Sequence, residues 1–283
     1  MIKTIGIIGA GTMGSGIAQL AALARFDVIL HDISADVLKG AIVRIKDDLR
    51  HSVGKGHITS TEATEALSRI GASKTFGELG SSDVVIEAAV EDLAVKKEIF
   101  KKLDAIVPPH AILATNTSSL SVTAIASFTK TPESVIGMHF FNPPTIMRLV
   151  EIVRGKQTSD KTVMITSELA RKMKKTPVVC KDTPGFIVNR VARPFYGEAL
   201  RLLGEGIASV ETIDKIVKLE GGFKMGPFEL MDLIGIDVNY AVTKSIYEQF
   251  FHEPRFRPHP IQRQMVEGGT LGRKTKKGFY TYR

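Results

Sequence analysis

Gly9, Gly11 and Gly14 stand in the spacing G-x-G-x-x-G, and a carboxylate, Asp32, closes the apolar run that follows. Together these residues are suited to a dinucleotide. The first glycine permits a tight turn, the second lets backbone approach a pyrophosphate, and the third lets a helix pack on a strand. The N–H groups that open this helix, at Thr12, Met13 and Gly14, then face the phosphates. Asp32 is expected to accept hydrogen bonds from the adenosine ribose hydroxyls, which favours NAD over a cofactor with a 2′-phosphate. The flanking residues supply the frame. Ile5, Ile7 and Ile8 read as a short buried strand, Ser15 to Ala24 as an apolar helix, and Asp27 to His31 as a second strand. A lone glycine pattern is weak, but strand, glycine loop, helix, strand and acid in that order form a strong signal. Lys3 and the apolar residues up to Ala24 superficially fit a secretory leader. The interrupting glycines and the strand ending in Asp32 argue against that reading.

A nicotinamide enzyme that moves hydride to or from an alcohol carbon also needs a proton carrier, and histidine titrates near neutrality. Seven histidines are present. His31 precedes the cofactor acid, and His51 and His57 lie in a charged helical stretch. His110 follows two prolines, and His252 and His259 belong to a proline-rich loop. His139 falls where an expected parallel strand ends, the edge at which open α/β sheets bind ligands. On position alone it is either the acid/base or a hydrogen-bonded structural histidine. Glu151, on the next strand, could pair with its second nitrogen; on spacing alone it also reads as a surface carboxylate at a strand end.

The elements around these residues alternate. Ser34 caps a helix running to Gly56, and Thr59-Ser60-Thr61-Glu62 is a capping box for a second helix ending near Gly71, so residues 34–71 form a helical insertion. Strands are expected at Val84-Val85-Ile86, Ala111 to Ala114 and Val135 to Met138, with a helix from Val95 to Leu103 between the first two. Short apolar runs alternating with helices imply a Rossmann-like, doubly wound, mostly parallel α/β sheet. After the turn Asn142-Pro143-Pro144-Thr145, Leu149 to Val153 is expected to pair antiparallel with the His139 strand. A helix over Ser159–Lys175 and a last strand over Pro177–Cys180 complete the first domain, residues 1–183. Thr183 then reads as an N-cap and Pro184 as the first helical position of a second, all-helical domain, 184–283, with helices at 185–204, 209–219, 226–234 and 236–251.

Composition narrows the class. Hydrophobic residues make up 43% and charged residues 24%, an ordinary globular balance. The single cysteine excludes an intrachain disulfide and a cysteine metal cage, and no metal site is expected. No apolar run is long enough to span a bilayer, so neither membrane association nor a location other than the cytoplasm is expected. The net charge of +8 is spread: residues 1–183 hold 23 Lys+Arg against 19 Asp+Glu, and residues 184–283 hold 15 against 11. Without a basic arm, a phosphate-bearing small ligand fits at least as well as nucleic acid.

Longer motifs carry a resemblance. Gly137-Met138-His139-Phe140-Phe141-Asn142-Pro143-Pro144, followed by Leu149-Val150-Glu151-Ile152-Val153, resembles the core of the short-chain L-3-hydroxyacyl-CoA dehydrogenases. Glu87 to Glu91, Thr115-Asn116-Thr117-Ser118-Ser119-Leu120, Lys181 to Arg190, Gly226-Pro227-Phe228-Glu229-Leu230 and Gly278-Phe279-Tyr280 continue it along essentially the whole chain. The resemblance implies reversible, NAD-dependent oxidation of (S)-3-hydroxyacyl-CoA, with His139 as acid/base and Glu151 orienting it. It implies that Ser118 and Asn189 hold the substrate's C3 oxygen, and that Asn116, Glu91 and Lys96 line the ribose and nicotinamide side of the cofactor. It implies that the cationic insertion, Lys55 in particular, binds coenzyme A, although Asp48 stands where the family often has a serine. It also implies a homodimer through the C-terminal domain. A sugar-acid dehydrogenase and a non-catalytic, crystallin-like NAD-binding protein are the alternatives, and the intact set Ser118, His139, Glu151 and Asn189 argues against the latter.

Overall fold

The computed structural model describes residues 2–283. The chain forms two compact units, one ending at Thr183 and one spanning Pro184–Arg283. The first unit begins with strand β1 (Thr4–Ile8), helix α1 (Thr12–Leu23) and strand β2 (Asp27–His31). Helices α2 (Ala35–Gly54) and α3 (Ser60–Ser68) follow, then β3 (Ile70–Ser73), β4 (Val84–Glu87), α4 (Leu93–Ile106) and β5 (Ile112–Thr115). Helix α5 (Val122–Ala126), β6 (Val135–Phe140), β7 (Leu149–Arg154), α6 (Asp160–Lys172) and β8 (Thr176–Lys181) complete it.

The eight strands make one sheet in the order β3-β2-β1-β4-β5-β6-β7-β8. Every neighbouring pair is parallel except β6 and β7, which run antiparallel with His139 opposite Glu151. Helices cover both faces, so the central strands are mostly apolar: β4 and β6 are buried at every position, including Glu87 and His139 near their ends. One core contains Ile5, Ile7, Ile17 and Met138, and the other contains Val85, Phe100, Leu103 and Val135. Ser34 and Thr59 cap α2 and α3, the latter through a complete capping box with Glu62.

Two features depart from expectation. Helix α3 stops at Ser68, and Ile70–Ser73 becomes the edge strand β3 beside β2. Here pairing with an existing strand outweighs the weak local β preference of a segment containing glycine and alanine. The helix expected to begin at Pro184 does not form there. Gly185 and Phe186 both take left-handed backbone, φ 75° and 49°, which a helical first turn excludes. The Gly185 conformation also brings it against Ile246: a Cβ there would sit 2.6 Å from the Ile246 Cδ1. Helix α7 (Val188–Gly204) therefore starts later, with Ile187 as its N-cap.

The second unit continues with α8 (Val210–Leu219), α9 (Pro227–Ile234), α10 (Ile236–Gln249) and α11 (Pro260–Glu267), the last of which sequence reading missed. Its core holds Tyr196, Leu200, Ile213, Phe228, Met231 and Ile236. Asp232, 1% exposed, accepts the Phe279 and Tyr280 N–H groups and the Tyr282 hydroxyl, which ties the C-terminal tail to α9.

Candidate active site

The glycine loop joins β1 to α1. Gly9 has φ 91°, and a Cβ on it would lie 2.6 Å from the Ala88 carbonyl oxygen. A Cβ on Gly14 would lie 1.7 Å from the Gly9 carbonyl oxygen, so only hydrogen fits there. Gly11 meets nothing within 4 Å and leaves open space above the loop. It is the N-cap of α1 and offers no side-chain cap, so the first-turn N–H groups of Thr12, Met13 and Gly14 have no helical acceptor. Asp32, at the end of β2, accepts the Ala10 N–H (2.8 Å) and the Ser34 N–H (2.9 Å). Arg44 of α2 donates to the Ala10 carbonyl (2.8 Å), so one cation of the helical insertion serves this loop. A glycine-cleared cradle, open helix donors and a fixed carboxylate suit a dinucleotide.

The next loops along the same sheet edge form a polar network. Glu87 ends β4, is fully buried, and accepts Lys96 Nζ, the Ala89 N–H and the Thr115 hydroxyl, each at 2.7 Å. Lys96 is 1% exposed and also lies 3.4 Å from Glu91, so its ammonium supports Glu91 from below rather than opening to the surface. Glu91 in turn accepts the Thr117 hydroxyl (2.6 Å), the Ser118 N–H (2.8 Å) and hydroxyl (3.2 Å), and the Ser119 N–H (3.1 Å). Burial would raise the Glu91 carboxyl, but the Lys96 ammonium and these donors outweigh it and hold it below the usual carboxylate range. Asn116 accepts the Phe140 N–H through Oδ1 (2.9 Å), which joins this loop to the His139 strand.

His139 is 6% exposed and Glu151 1% exposed. Their Nδ1 and Oε2 atoms are 2.7 Å apart, and the Phe141 ring lies 4.4 Å from the imidazole centroid. The cross-strand register of β6 and β7 produces this pair directly, because opposite residues on antiparallel strands share a face. The other histidines are placed elsewhere. His31 is buried and directed at the Ser73 carbonyl (3.0 Å), and His259 accepts the Ile261 N–H as the cap of α11. Burial, with Glu151 and Asp182 adding to it, pushes the Cys180 thiol up to about 12, which disfavours the thiolate.

The structure thus gathers Gly9, Gly11, Thr12, Met13, Gly14, Asp32, Glu91, Asn116, Ser118 and His139 at one edge of the sheet, with Glu151 facing His139. Lys55 is not among them. It lies past the end of α2, beside a depression of about 580 Å³ lined also by Asp47, Arg50, His51 and Gly54. Arg50 is paired with Asp47 there (3.1 Å). Asn189 belongs to the second unit, in the first turn of α7, where its carbonyl accepts Arg193 Nε. Sequence reading missed Glu87, Thr115 and Thr117. The available signal was a carboxylate ending the apolar run Val84-Val85-Ile86.

Known proteins give this geometry a context. The model of the 3-hydroxyacyl-CoA dehydrogenase NAD binding domain matches residues 4–183, and that of the 3-hydroxyacyl-CoA dehydrogenase C-terminal domain matches 185–282. A 3-hydroxybutyryl-CoA dehydrogenase of Bradyrhizobium diazoefficiens is 46% identical over all of this chain and 96% of its own length. A 3-hydroxyadipyl-CoA dehydrogenase of Escherichia coli is 48% identical over the whole chain, which spans 59% of that relative's length. The solved structure of (S)-3-hydroxybutyryl-CoA dehydrogenase from Ralstonia eutropha superposes with a TM-score of 0.97 at 42% identity, covering 100% of both chains.

Proposed function

The chain belongs to the 3-hydroxyacyl-CoA dehydrogenase family, an NAD-using group, and from that premise we propose that it interconverts (S)-3-hydroxyacyl-CoA and 3-oxoacyl-CoA, 3-hydroxybutyryl-CoA among them. The observation that carries this reading is the buried His139–Glu151 pair at the sheet edge that also bears the glycine loop.

Glu151 accepts from Nδ1–H and fixes the imidazole tautomer, so Nε2 is the nitrogen that exchanges a proton with substrate. In oxidation His139 takes the proton of the C3 hydroxyl; in reduction it returns that proton to the C3 oxygen. Bound NAD supplies hydride chemistry at C3, held by the glycine loop, the α1 N-terminus and Asp32. Ser118 and Asn189 offer donors to the C3 oxygen, whose charge changes in the transition state. The Glu91 carboxylate fixes the Ser118 backbone for that task. Lys55 and the depression at the end of α2 receive the coenzyme A phosphates. The second unit exposes Val191, Ile207, Ile216, Leu219 and Phe223, apolar surface that a homodimer would cover.

Loss of NADH absorbance tests the reaction, with acetoacetyl-CoA compared against free acetoacetate and sugar acids. Rapid turnover of the thioester alone is expected. Turnover of a sugar acid, or of nothing despite NADH binding, overturns the proposal.

A further inference from the structure

Lys175 is a buried cation outside the residues placed around His139. Lys175 follows α6, after Lys174 takes a left-handed backbone with φ 59°, and leads into β8. It is 7% exposed. Nζ donates to the carbonyls of Pro144 (2.5 Å) and Met147 (2.8 Å). Burial pushes its pKa down, and no charged neighbour offsets that burial. An ammonium in such a place is costly unless its hydrogen bonds are needed.

Its two acceptors belong to the turn that joins β6 to β7, the covalent link between the His139 strand and the Glu151 strand. Within that turn the Pro143 carbonyl accepts the N–H groups of both Ile146 (3.1 Å) and Met147 (3.0 Å). The Pro144 and Met147 carbonyls, left over from this pattern, converge on Lys175. Pro144 is also seated on the cofactor helix: a Cβ on Gly16 of α1 would lie 2.4 Å from Pro144 Cγ. The next residue, Thr176, donates its N–H to the Arg148 carbonyl (2.8 Å), which fixes the end of the turn to β8.

We propose that Lys175 is a positioning residue whose buried ammonium fastens the β6–β7 turn, and through it the His139–Glu151 pair and the seat of Pro144 on α1. The ammonium joins two carbonyls of the turn that its internal Pro143 bonds leave over, so removing it frees the turn locally while the sheet stays intact. The kinetic half of this inference rests on the 3-hydroxyacyl-CoA reading; the turn-fastening half does not.

The experiment compares the full-length wild type with Lys175→Met, which keeps apolar bulk, and Lys175→Arg, which keeps charge and donors. Hydrogen exchange is followed peptide by peptide, and acetoacetyl-CoA reduction is measured alongside. In Lys175→Met, faster exchange confined to residues 141–148 is expected, and kcat falls roughly 10- to 100-fold, the scale of a small misplacement of reacting groups. KM for NADH changes less than kcat, since the turn touches the cofactor helix only where Pro144 meets Gly16, whereas both strands it joins carry the His139–Glu151 pair. Lys175→Arg retains more activity and protection than Lys175→Met. Wild-type exchange and kcat in Lys175→Met overturn the inference. So does exchange accelerated throughout residues 2–183, which makes Lys175 a general core residue, or an arginine variant no better than methionine. If wild-type protein fails on the thioester, the functional reading fails, and the exchange data still decide the role of Lys175.

Discussion

In the proposed reaction a proton moves through His139, a side chain that is 6% exposed and lies 2.7 Å from the Glu151 carboxylate. His139→Gln is expected to keep its fold and its NADH affinity while kcat falls roughly 100- to 10,000-fold, the usual contribution of a placed acid/base. Glu151→Gln should lower kcat too, because an amide no longer enforces the tautomer. Stopped-flow turnover at saturating substrate checks both, and near-normal kcat in His139→Gln refutes the assignment. Asp32 makes a second case. Two backbone N–H groups fix its carboxylate, which leaves a like charge facing any 2′-phosphate. A kcat/KM for NADH well above that for NADPH is expected, and a preference for NADPH would show that Asp32 serves only the loop. The pair His139 and Glu151 was legible through the family resemblance, since spacing alone left a structural histidine and a surface carboxylate open, and the register of β6 and β7 brings the two together. The role of Glu87 was not legible. A carboxylate closing an apolar strand looks the same whether it faces water or a buried lysine nine residues on, and only the fold shows that it meets Lys96.

Helix α2 illustrates how one element serves two places. Its Arg44, midway along, reaches the glycine loop, whereas its last turn and Lys55 line a separate depression about 16 Å further along the axis. Lys55→Ala should raise KM for acetoacetyl-CoA by up to about fivefold, the equivalent of ~1 kcal/mol for an exposed charge contact. KM for NADH should not follow, and added salt should shrink the difference. Equal changes in both constants, or none, would mark α2 as a solvated helix only. Elements with a strong pattern were readable: β1, α1 and β2 are apolar stretches punctuated by the glycine spacing, and Ser34 and Thr59 announce their helices. β3 was not readable, because Ile70-Gly71-Ala72-Ser73 has little β preference and becomes a strand only beside β2. The start of α7 was misread for a different reason. Thr183 and Pro184 have the right residue types, but Gly185 and Phe186, which follow, are left-handed, with Gly185 packed against Ile246, sixty-one residues on.

Taken whole, the molecule has a small second unit of a hundred residues, Pro184–Arg283, with limited room to bury its apolar side chains. Ile216 is 56% exposed, Leu219 68% and Phe251 93%. Light scattering at micromolar concentration should give twice the chain mass of 30.9 kDa. A mass near the monomer refutes the dimer, and a dimer that survives removal of residues 184–283 places its contact in the first unit. The cationic excess found in both halves of the sequence, with neither half dominating, fits a small anionic ligand engaged by separate sites rather than a polymer tracked by one face.

The contrast between Gly14 and Gly11 has a genetic consequence. Every missense change of a glycine codon adds a Cβ, and at position 14 that atom would sit 1.7 Å from a carbonyl oxygen. Position 14 therefore has no neutral missense neighbour, and each such variant is expected to be purged through loss of the folded chain. At Gly11, with nothing within 4 Å, the same Cβ meets only the space that a pyrophosphate would fill. Gly11→Ala should accumulate to wild-type abundance in a cell and still be purged, for want of cofactor. A variant library scored once for abundance and once for growth would separate the two glycines, although the sequence motif writes them with the same letter.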